Sequence, residues 1–203
     1  MKILCIGRNY SEHAKELNNP LPKKPIFFTK TDSSILKNGK PFFIPDFSNE
    51  IHYETELVLK ISRLGKHIDE KFADRYFNEI GIGIDFTARD LQRECKAKGL
   101  PWEIAKAFDN SAPLGKFLPK DSFKDMSDIN FHLDINGEPA QKGNSKDLIF
   151  SFNHLISYLS RFFTLKTGDL IFTGTPAGVG PVKKNDRLQA YIEDELLLDF
   201  MVK

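Results

Sequence analysis

Apolar residues along the chain recur mostly with a period of two, and only a few short stretches carry helical spacing. Residues Lys2 to Ile6 read as a buried strand that Gly7-Arg8-Asn9-Tyr10 breaks before a short helix from about Ser11 to Leu17. Asn18, Asn19, Pro20, Pro22 and Pro25 close that helix. With little apolar face to anchor it, the segment is expected to move as a lid. Ile26 to Thr29 and Pro41 to Ile44 read as strands, and His52 to Ile61 as a longer one. Along that strand Thr55, Leu57, Leu59 and Ile61 share one face, and His52, Glu54, Glu56 and Val58 the other. Asp69 to Asn78 reads as helix. In Ile80 to Phe86 the even positions face the core, which leaves Gly81, Gly83 and Asp85 opposite, with bare backbone beside the carboxylate.

Thr87 followed by Asp90 resembles a capping box, opening a helix that runs to Lys98 and is closed by Gly99 with Pro101 beyond. Ile129 to Ile135 reads as a strand entering an Asn136-Gly137 hairpin turn, and a helix is expected from about Ser151 to Phe163. Strands then return at Asp169 to Thr173, Arg187 to Ile192 and Leu196 to Val202. No repeat, linker or low-complexity tract interrupts the chain, so one domain is expected over residues 1–203, of α+β and mainly β class.

Composition narrows the partners. The 29 basic and 28 acidic side chains leave a formal charge of +1, so no broad field draws the chain to nucleic acid or a membrane surface, and small ligands fit better. Two unclustered thiols, Cys5 and Cys95, make neither a disulfide framework nor a zinc site, and the apolar start is too short for a signal peptide; a cytoplasmic location is expected. The 18 Phe residues, several in adjacent pairs, suit an aromatic core or a dimer face.

Glu54 and Glu56 project from one strand face, and their repulsion calls for bulk water or a cation between them. Asp85 ends an otherwise apolar strand, an expensive place for a lone charge. Three carboxylates without an accompanying His or Cys describe a hard oxygen site suited to Mg2+ or Mn2+. A structural salt bridge from Asp85 to Arg89 or Lys106 is the competing account. His13 and Glu16 stand at i, i+3, so the carboxylate can hold the imidazole as a general base, or the two can be a solvent-facing helix pair. Arg89 and Gln92, one turn apart, and Lys106 are candidate anion and carbonyl contacts. The Gly174 to Pro181 loop lacks the Gly-Lys-Ser/Thr ending of a phosphate loop and leads into strand, which excludes a nucleotide site; its amides and the Thr175 hydroxyl can meet a small carboxylate, or the loop can be a plain tight hairpin.

These motifs occur in order: Gly7-Arg8-Asn9-Tyr10 with His13, His52-Tyr53-Glu54-Thr55-Glu56, and Gly83-Ile84-Asp85-Phe86-Thr87-Ala88-Arg89-Asp90-Leu91-Gln92. They continue through Lys98-Gly99-Leu100-Pro101-Trp102 with Lys106, Gly168-Asp169, and Thr173-Gly174-Thr175-Pro176 with Gly178-Val179-Gly180. The set, spread over almost the entire chain, resembles the fumarylacetoacetate hydrolase family, and within it the short acylpyruvate hydrolase and oxaloacetate decarboxylase branch. The resemblance implies a β-roll with mixed sheets and a few short helices, usually homodimeric, with the small N-terminal helix ordering over bound ligand. It also implies Mg2+ or Mn2+ on Glu54, Glu56 and Asp85, a water-activating His13/Glu16 dyad, and Lys106 beside the substrate. Arg8, Arg89, Gln92 and Thr175 would contact a small 2-keto acid. Two positions depart from the family pattern: Thr31 follows Lys30 where proline is frequent, and Ala177 follows Pro176 where a basic residue is common. The extra N-terminal domain of the longer hydrolases has no counterpart here, which argues against fumarylacetoacetate itself as substrate.

The implied reaction is hydrolysis of the C–C bond of an acylpyruvate to pyruvate and a carboxylate. Decarboxylation of oxaloacetate and keto/enol isomerisation would draw on the same enolate stabilisation. A non-catalytic metabolite-binding protein on the same fold is the alternative from another class.

Overall fold

The computed structural model describes residues 1–16, 20–37 and 39–203. The expected helix end at Leu17 and its closing residues Asn18 and Asn19 lie outside them. The strands are β1 (Ile3–Gly7), β2 (Ile26–Lys30), β3 (Ile35–Leu36), β4 (Ile51–Tyr53), β5 (Thr55–Ile61), β6 (Phe77–Ile84), β7 (Thr87–Ala88) and β8 (Ala112–Pro119). They continue with β9 (Asn130–Ile135), β10 (Glu138–Asn144), β11 (Leu170–Phe172), β12 (Gly180–Pro181), β13 (Arg187–Ile192) and β14 (Glu195–Met201). The helices are α1 (Ser11–Glu16), α2 (Arg89–Lys98), α3 (Glu103–Lys106) and α4 (Phe152–Ser160).

A mixed seven-stranded sheet runs in the order β2-β1-β11-β5-β6-β8-β3, with β1 parallel to β11 and β3 parallel to β8. One face carries Leu57, Leu59, Ile61, Ile80 and Ile82 into the main core. That core is shared with α4 through Leu155, Ile156 and Leu159, and with the antiparallel sheet β10-β9-β13-β14 through Phe131, Leu133, Leu188 and Ile192. The other face builds a smaller cluster from Ile3, Cys5, Val58, Ala112, Leu170 and Phe172. The mainly-β α+β architecture is therefore as expected.

Several local expectations are corrected. The bare backbone expected beside Asp85 is absent: a Cβ at Gly83 would stand 2.7 Å from Phe172 Cε1 and one at Gly81 2.9 Å from Phe117 Cδ1, so neighbouring rings fill the space the glycines leave. Pro41 to Ile44 does not form a strand. Phe42 makes an isolated parallel bridge to Val202, with the Phe42 amide donating to Met201 O at 2.8 Å and the Ile44 amide to Lys203 O at 2.9 Å. Asp69 to Asn78 tightens to a 3-10 helix over Glu70–Tyr76, entered where the Asp69 side chain accepts from the Lys71 amide. The capping box does not form either. Ala88 caps α2 without a side-chain bond, the Thr87 hydroxyl donates to Asp85 O, and Asp90 accepts from Ser48 Oγ at 2.6 Å. At the other end Gly99 closes the helix at φ 65° as expected.

The change with most consequence falls in His52 to Ile61. The segment is two strands: β4 joins a three-stranded sheet with β7 and β12, while β5 lies in the seven-stranded sheet. Glu54 is the residue at the crossing. Its carbonyl accepts from the Asp85 amide at 2.8 Å, and the Thr55 amide finds Gln141 Oε1 at 3.0 Å instead of a ladder partner. The chain repeats the manoeuvre between β6 and β7, with Asp85 and Phe86 at the second crossing.

Candidate active site

The two crossings set the acidic residues against each other. Glu54 and Asp85 leave their strands side by side, and Glu56 enters from β5 opposite Gly83. All three are buried, and one carboxylate oxygen from each lies within 4.8 Å of the other two. Cations surround them. Lys106 Nζ stands 2.8 Å from Glu54 Oε2, 2.7 Å from Asp85 Oδ2 and 2.6 Å from Thr87 Oγ1, while Arg89 approaches Glu54 Oε1 at 2.5 Å. The salt bridge weighed for Asp85 is thus present through Lys106, whereas Arg89 pairs with Glu54.

Lys30 supplies a further cation that the sequence reading did not assign. Its Nζ lies 2.9 Å from Asp85 Oδ1 without hydrogen-bond alignment, so that buried oxygen keeps no hydrogen-bond donor. The ammonium donates instead to Phe86 O, Ser111 O, Ser111 Oγ and Lys106 O. The available signal was a lysine closing the apolar run Ile26 to Thr29, an expensive position for the same reason as that of Asp85.

Glu56 has no cation within ion-pair reach among the described residues; the Gly174 amide reaches its Oε2 at 2.7 Å. Gly174 stands at φ 103°, and a Cβ there would meet Asn9 Cβ at 2.7 Å, so glycine is required for that approach. Burial, with Asp85 and Glu54 adding to it, pushes the Glu56 carboxyl well above its ordinary value. Burial would raise Glu54 as well, but Lys106 and Arg89 outweigh it and hold that carboxyl low. Burial would likewise lower Lys106, and Asp85 and Glu54 reverse the direction. A hard divalent cation fits this donor set: it would offset the charge on Glu56 and engage the Asp85 oxygen that lacks a donor.

Above the acids sits α1. His13 is buried and its Nδ1 lies 3.0 Å from Glu16 Oε2, while Glu16 Oε1 accepts from the Gly178 amide at 3.1 Å. The helix is thereby seated on the glycine-rich loop, and His13, Glu54, Glu56 and Lys106 line one cavity of about 30 Å³. Arg8, Arg89, Gln92 and Thr175 line it too, so every sequence-assigned residue except Glu16 and Asp85 borders the cavity, and those two are one contact behind it. Arg89 Nη1 donates to Gln92 Oε1 at 2.7 Å. The Thr175 hydroxyl gives its proton to Thr55 O at 2.9 Å and accepts from Gln141 Nε2 at 2.7 Å, which removes the free donor expected there. Gln141 carried no sequence signal, and Asn9 stood in the Gly7-Arg8-Asn9-Tyr10 motif without an assigned role. Asn9 ties the β1 end to Phe150 and Thr173 and so fixes the loop bearing Arg8 at φ 60°. A roomier cavity of about 750 Å³ lies between β8 and β14, lined by apolar side chains and lysines, and brings no reactive cluster together.

The fold and this buried acidic cluster define a member of the fumarylacetoacetate hydrolase family. The family model "Fumarylacetoacetate (FAA) hydrolase C-terminal" matches residues 2–198, and the chain belongs to that family. It is 41% identical to a mitochondrial oxaloacetate tautomerase of Mus musculus, over 99% of this chain and 91% of the relative. It is 46% identical to a mitochondrial oxaloacetate decarboxylase of Dictyostelium discoideum, over 90% of this chain and 84% of the relative. Among solved structures it is similar to fumarylpyruvate hydrolase from Pseudomonas aeruginosa in complex with Mn2+ and pyruvate, with a TM-score of 0.93 at 37% identity, covering 100% of this chain and 89% of that one. The mitochondrial location belongs to the relatives' names. In this chain no helix among the described residues is long and apolar enough to cross a membrane.

Proposed function

We propose that this protein is a Mg2+- or Mn2+-dependent enzyme that cleaves the C–C bond of small acylpyruvates, giving pyruvate and a carboxylic acid. The observation that carries the reading is the meeting, around one cavity, of a carboxylate-held imidazole with three convergent carboxylates, Glu54 and Glu56 on its wall and Asp85 one contact behind. Glu54, Glu56 and Asp85 would hold the metal, which supplies Lewis-acid polarisation of a 2-keto acid's ketone when bound.

The chain's own residues do the rest. Glu16 fixes the His13 ring through Nδ1, leaving Nε2 as the base. Nε2 takes a proton from water as the oxygen attacks the distal acyl carbonyl. The bond to the pyruvyl carbon breaks, its electron pair forms the enolate of pyruvate, and a proton returned from Nε2 completes pyruvate. Lys106 Nζ, held between Glu54 and Asp85, sets positive charge beside the reacting oxygen. Closure of α1 onto Gly178 excludes bulk water from a cavity this small.

A second reading is keto/enol tautomerisation or decarboxylation of oxaloacetate, favoured by the names of the relatives. Neither reaction needs the attacking water. Incubating metal-stripped protein with acetylpyruvate and oxaloacetate, with and without Mg2+, tests both readings by loss of each enol absorbance and by assay of pyruvate. Metal-dependent pyruvate release from acetylpyruvate is expected. Turnover confined to oxaloacetate would replace hydrolysis by the second reading, and no turnover of either would remove the enzymatic account.

A further inference from the structure

The catalytic cavity, at about 30 Å³, has room for roughly one or two waters, so a diketo acid seated there must extend through one of its walls. Two outer pockets share walls with it. One, of about 430 Å³, lies past Arg89 and Gln92 and is lined further by Glu16, Glu50, His52 and Arg93. The other, of about 360 Å³, shares Ile26, Phe28 and Trp102 with the cavity and is completed by Phe27, Thr29 and Glu103. The first is ionic. The second is mostly apolar, has no cation in its lining, and carries one charged side chain, the exposed Glu103.

The wall shared with the apolar pocket can part. Phe28 and Trp102 are both half-buried and meet at 5.9 Å between ring centroids, tilted by 50°. β2 is the edge strand of the seven-stranded sheet, so no further strand stands behind Phe28. The Trp102 indole is held by that ring contact and by Lys96 Nζ at 5.5 Å, with no hydrogen bond among the described residues. Rotation of either ring therefore breaks packing and nothing directional. Lys106 Nζ stands 4.9 Å from the Phe28 centroid, which starts this wall beside the reacting centre.

Charge sets the direction of a bound keto acid. Its carboxylate end is drawn to the cations on the cavity wall, Arg8 and Arg89, which leaves the side of Ile26, Phe28 and Trp102 for the other end. An apolar tail there exchanges water for ring and aliphatic surface, a gain of about three- to fourfold per buried methylene. A carboxylate in the same place would lose water beside Glu103 with no cation to meet it.

Resting on the acylpyruvate reading, we propose that Phe28 and Trp102 form an aromatic gate to an apolar subsite at the β2 edge, and that this subsite selects keto acids with an apolar tail of several carbons. Acetylpyruvate, ending in a methyl, leaves the subsite empty.

The test lengthens the tail on one reactive head. For the wild type kcat/KM should rise by about tenfold from acetylpyruvate to butanoylpyruvate, and Trp102→Ala should cut that ratio to about twofold or less. Binding is read separately, by calorimetry on the Mg2+-loaded protein with pyruvate and 2-oxooctanoate, neither of which has the scissile bond. Preference for 2-oxooctanoate is expected in the wild type and should fall in Trp102→Ala. Should that variant not fold, Glu103→Lys carries the test, since it changes an exposed side chain outside the catalytic cavity. At low salt it should raise turnover of succinylpyruvate relative to the equally long butanoylpyruvate by about 3- to 10-fold, and an unchanged ratio overturns the inference. Equal cleavage of acetylpyruvate and butanoylpyruvate, or a length preference that survives in Trp102→Ala, also overturns it and leaves the catalytic reading intact. Tail-selective, Trp102-dependent binding without turnover of any acylpyruvate sustains the subsite and overturns the catalytic reading. Binding of neither keto acid overturns both.

Discussion

Replacing Glu56 by glutamine should strengthen the metal-free fold while removing its response to Mg2+. Glu56 shares a 4.8 Å neighbourhood with two carboxylates, and at that spacing two unit charges repel by about 3.5 kcal/mol at an effective dielectric of 20. Lys106, Lys30 and Arg89 neutralise much of the field from Asp85 and Glu54, but none of them reaches Glu56. A ceiling comes from protonation, since the folded chain can take up a proton instead of bearing the charge. Each pH unit above the ordinary value of 4.5 then costs about 1.4 kcal/mol until the raised folded pKa is reached.

At pH 7 that ceiling is about 3.4 kcal/mol, so Glu56→Gln should stabilise the metal-free protein by about 1–3 kcal/mol, worth roughly 2–10 °C in Tm for a chain of this size. The sign fixes the pH dependence. Between 4.5 and the folded pKa the native state holds a proton that the unfolded chain has lost, so stability of the metal-free wild type falls as pH rises, and the advantage of the variant nearly vanishes at pH 5. Melting curves in EDTA at pH 5 and pH 7.5, repeated with saturating Mg2+, decide the matter. Wild type should gain about 2.7 kcal/mol at a hundredfold excess of metal over its Kd, and the variant little. A variant that melts below wild type in EDTA at pH 7.5, or gains as much from Mg2+, would refute the account of Glu56 as a charge awaiting a cation.

Three further substitutions probe separate parts of the structure. His13→Ala should lower acetylpyruvate hydrolysis by about 10²- to 10⁴-fold while calorimetry still detects Mg2+ binding; unchanged turnover would remove the dyad from the mechanism. Lys30→Met strips Asp85 of one of its two cations and should cost about 3–5 kcal/mol in urea denaturation, so a loss under 1 kcal/mol would show that Lys106 suffices. Gly83→Ala drives a Cβ to 2.7 Å from Phe172 and 3.2 Å from Pro113 O and should destabilise by about 1–3 kcal/mol; a neutral result would mean that the Phe172 ring can move aside.

What could be read from the chain divides along physical lines. Alternation located β9 and β13, because each has one face on the core and one turned away from it, and it located β5 by its polar and apolar residues although both faces of that strand are buried. Strand β8 escaped notice, since Pro113, Gly115 and Pro119 give it the composition of a turn; it is tolerated there because its β3 neighbour covers only two residues and leaves most of that side unpaired. The acidic set and its Lys106 contact could be argued from the cost of isolated charges beside apolar runs. Lys30 obeyed the same rule but was left unassigned, Gln141 offered nothing local, and the role of Asn9 could not be read from its motif, because the partners of both lie 34 to 164 residues away in the chain. The breaks at Glu54 and Asp85 could not be anticipated from alternation, which continues through both.

Those two breaks tie the stability of the architecture to its chemistry. Glu54 and Asp85 both sit in the joint where the chain passes between the three-stranded and seven-stranded sheets, so an ion gripped by both would fasten the two crossings to each other. Amide exchange at Thr55 and Phe86 should therefore slow on metal loading more than exchange at core positions such as Leu133, which makes backbone protection at the joint a gauge of occupancy that needs no substrate.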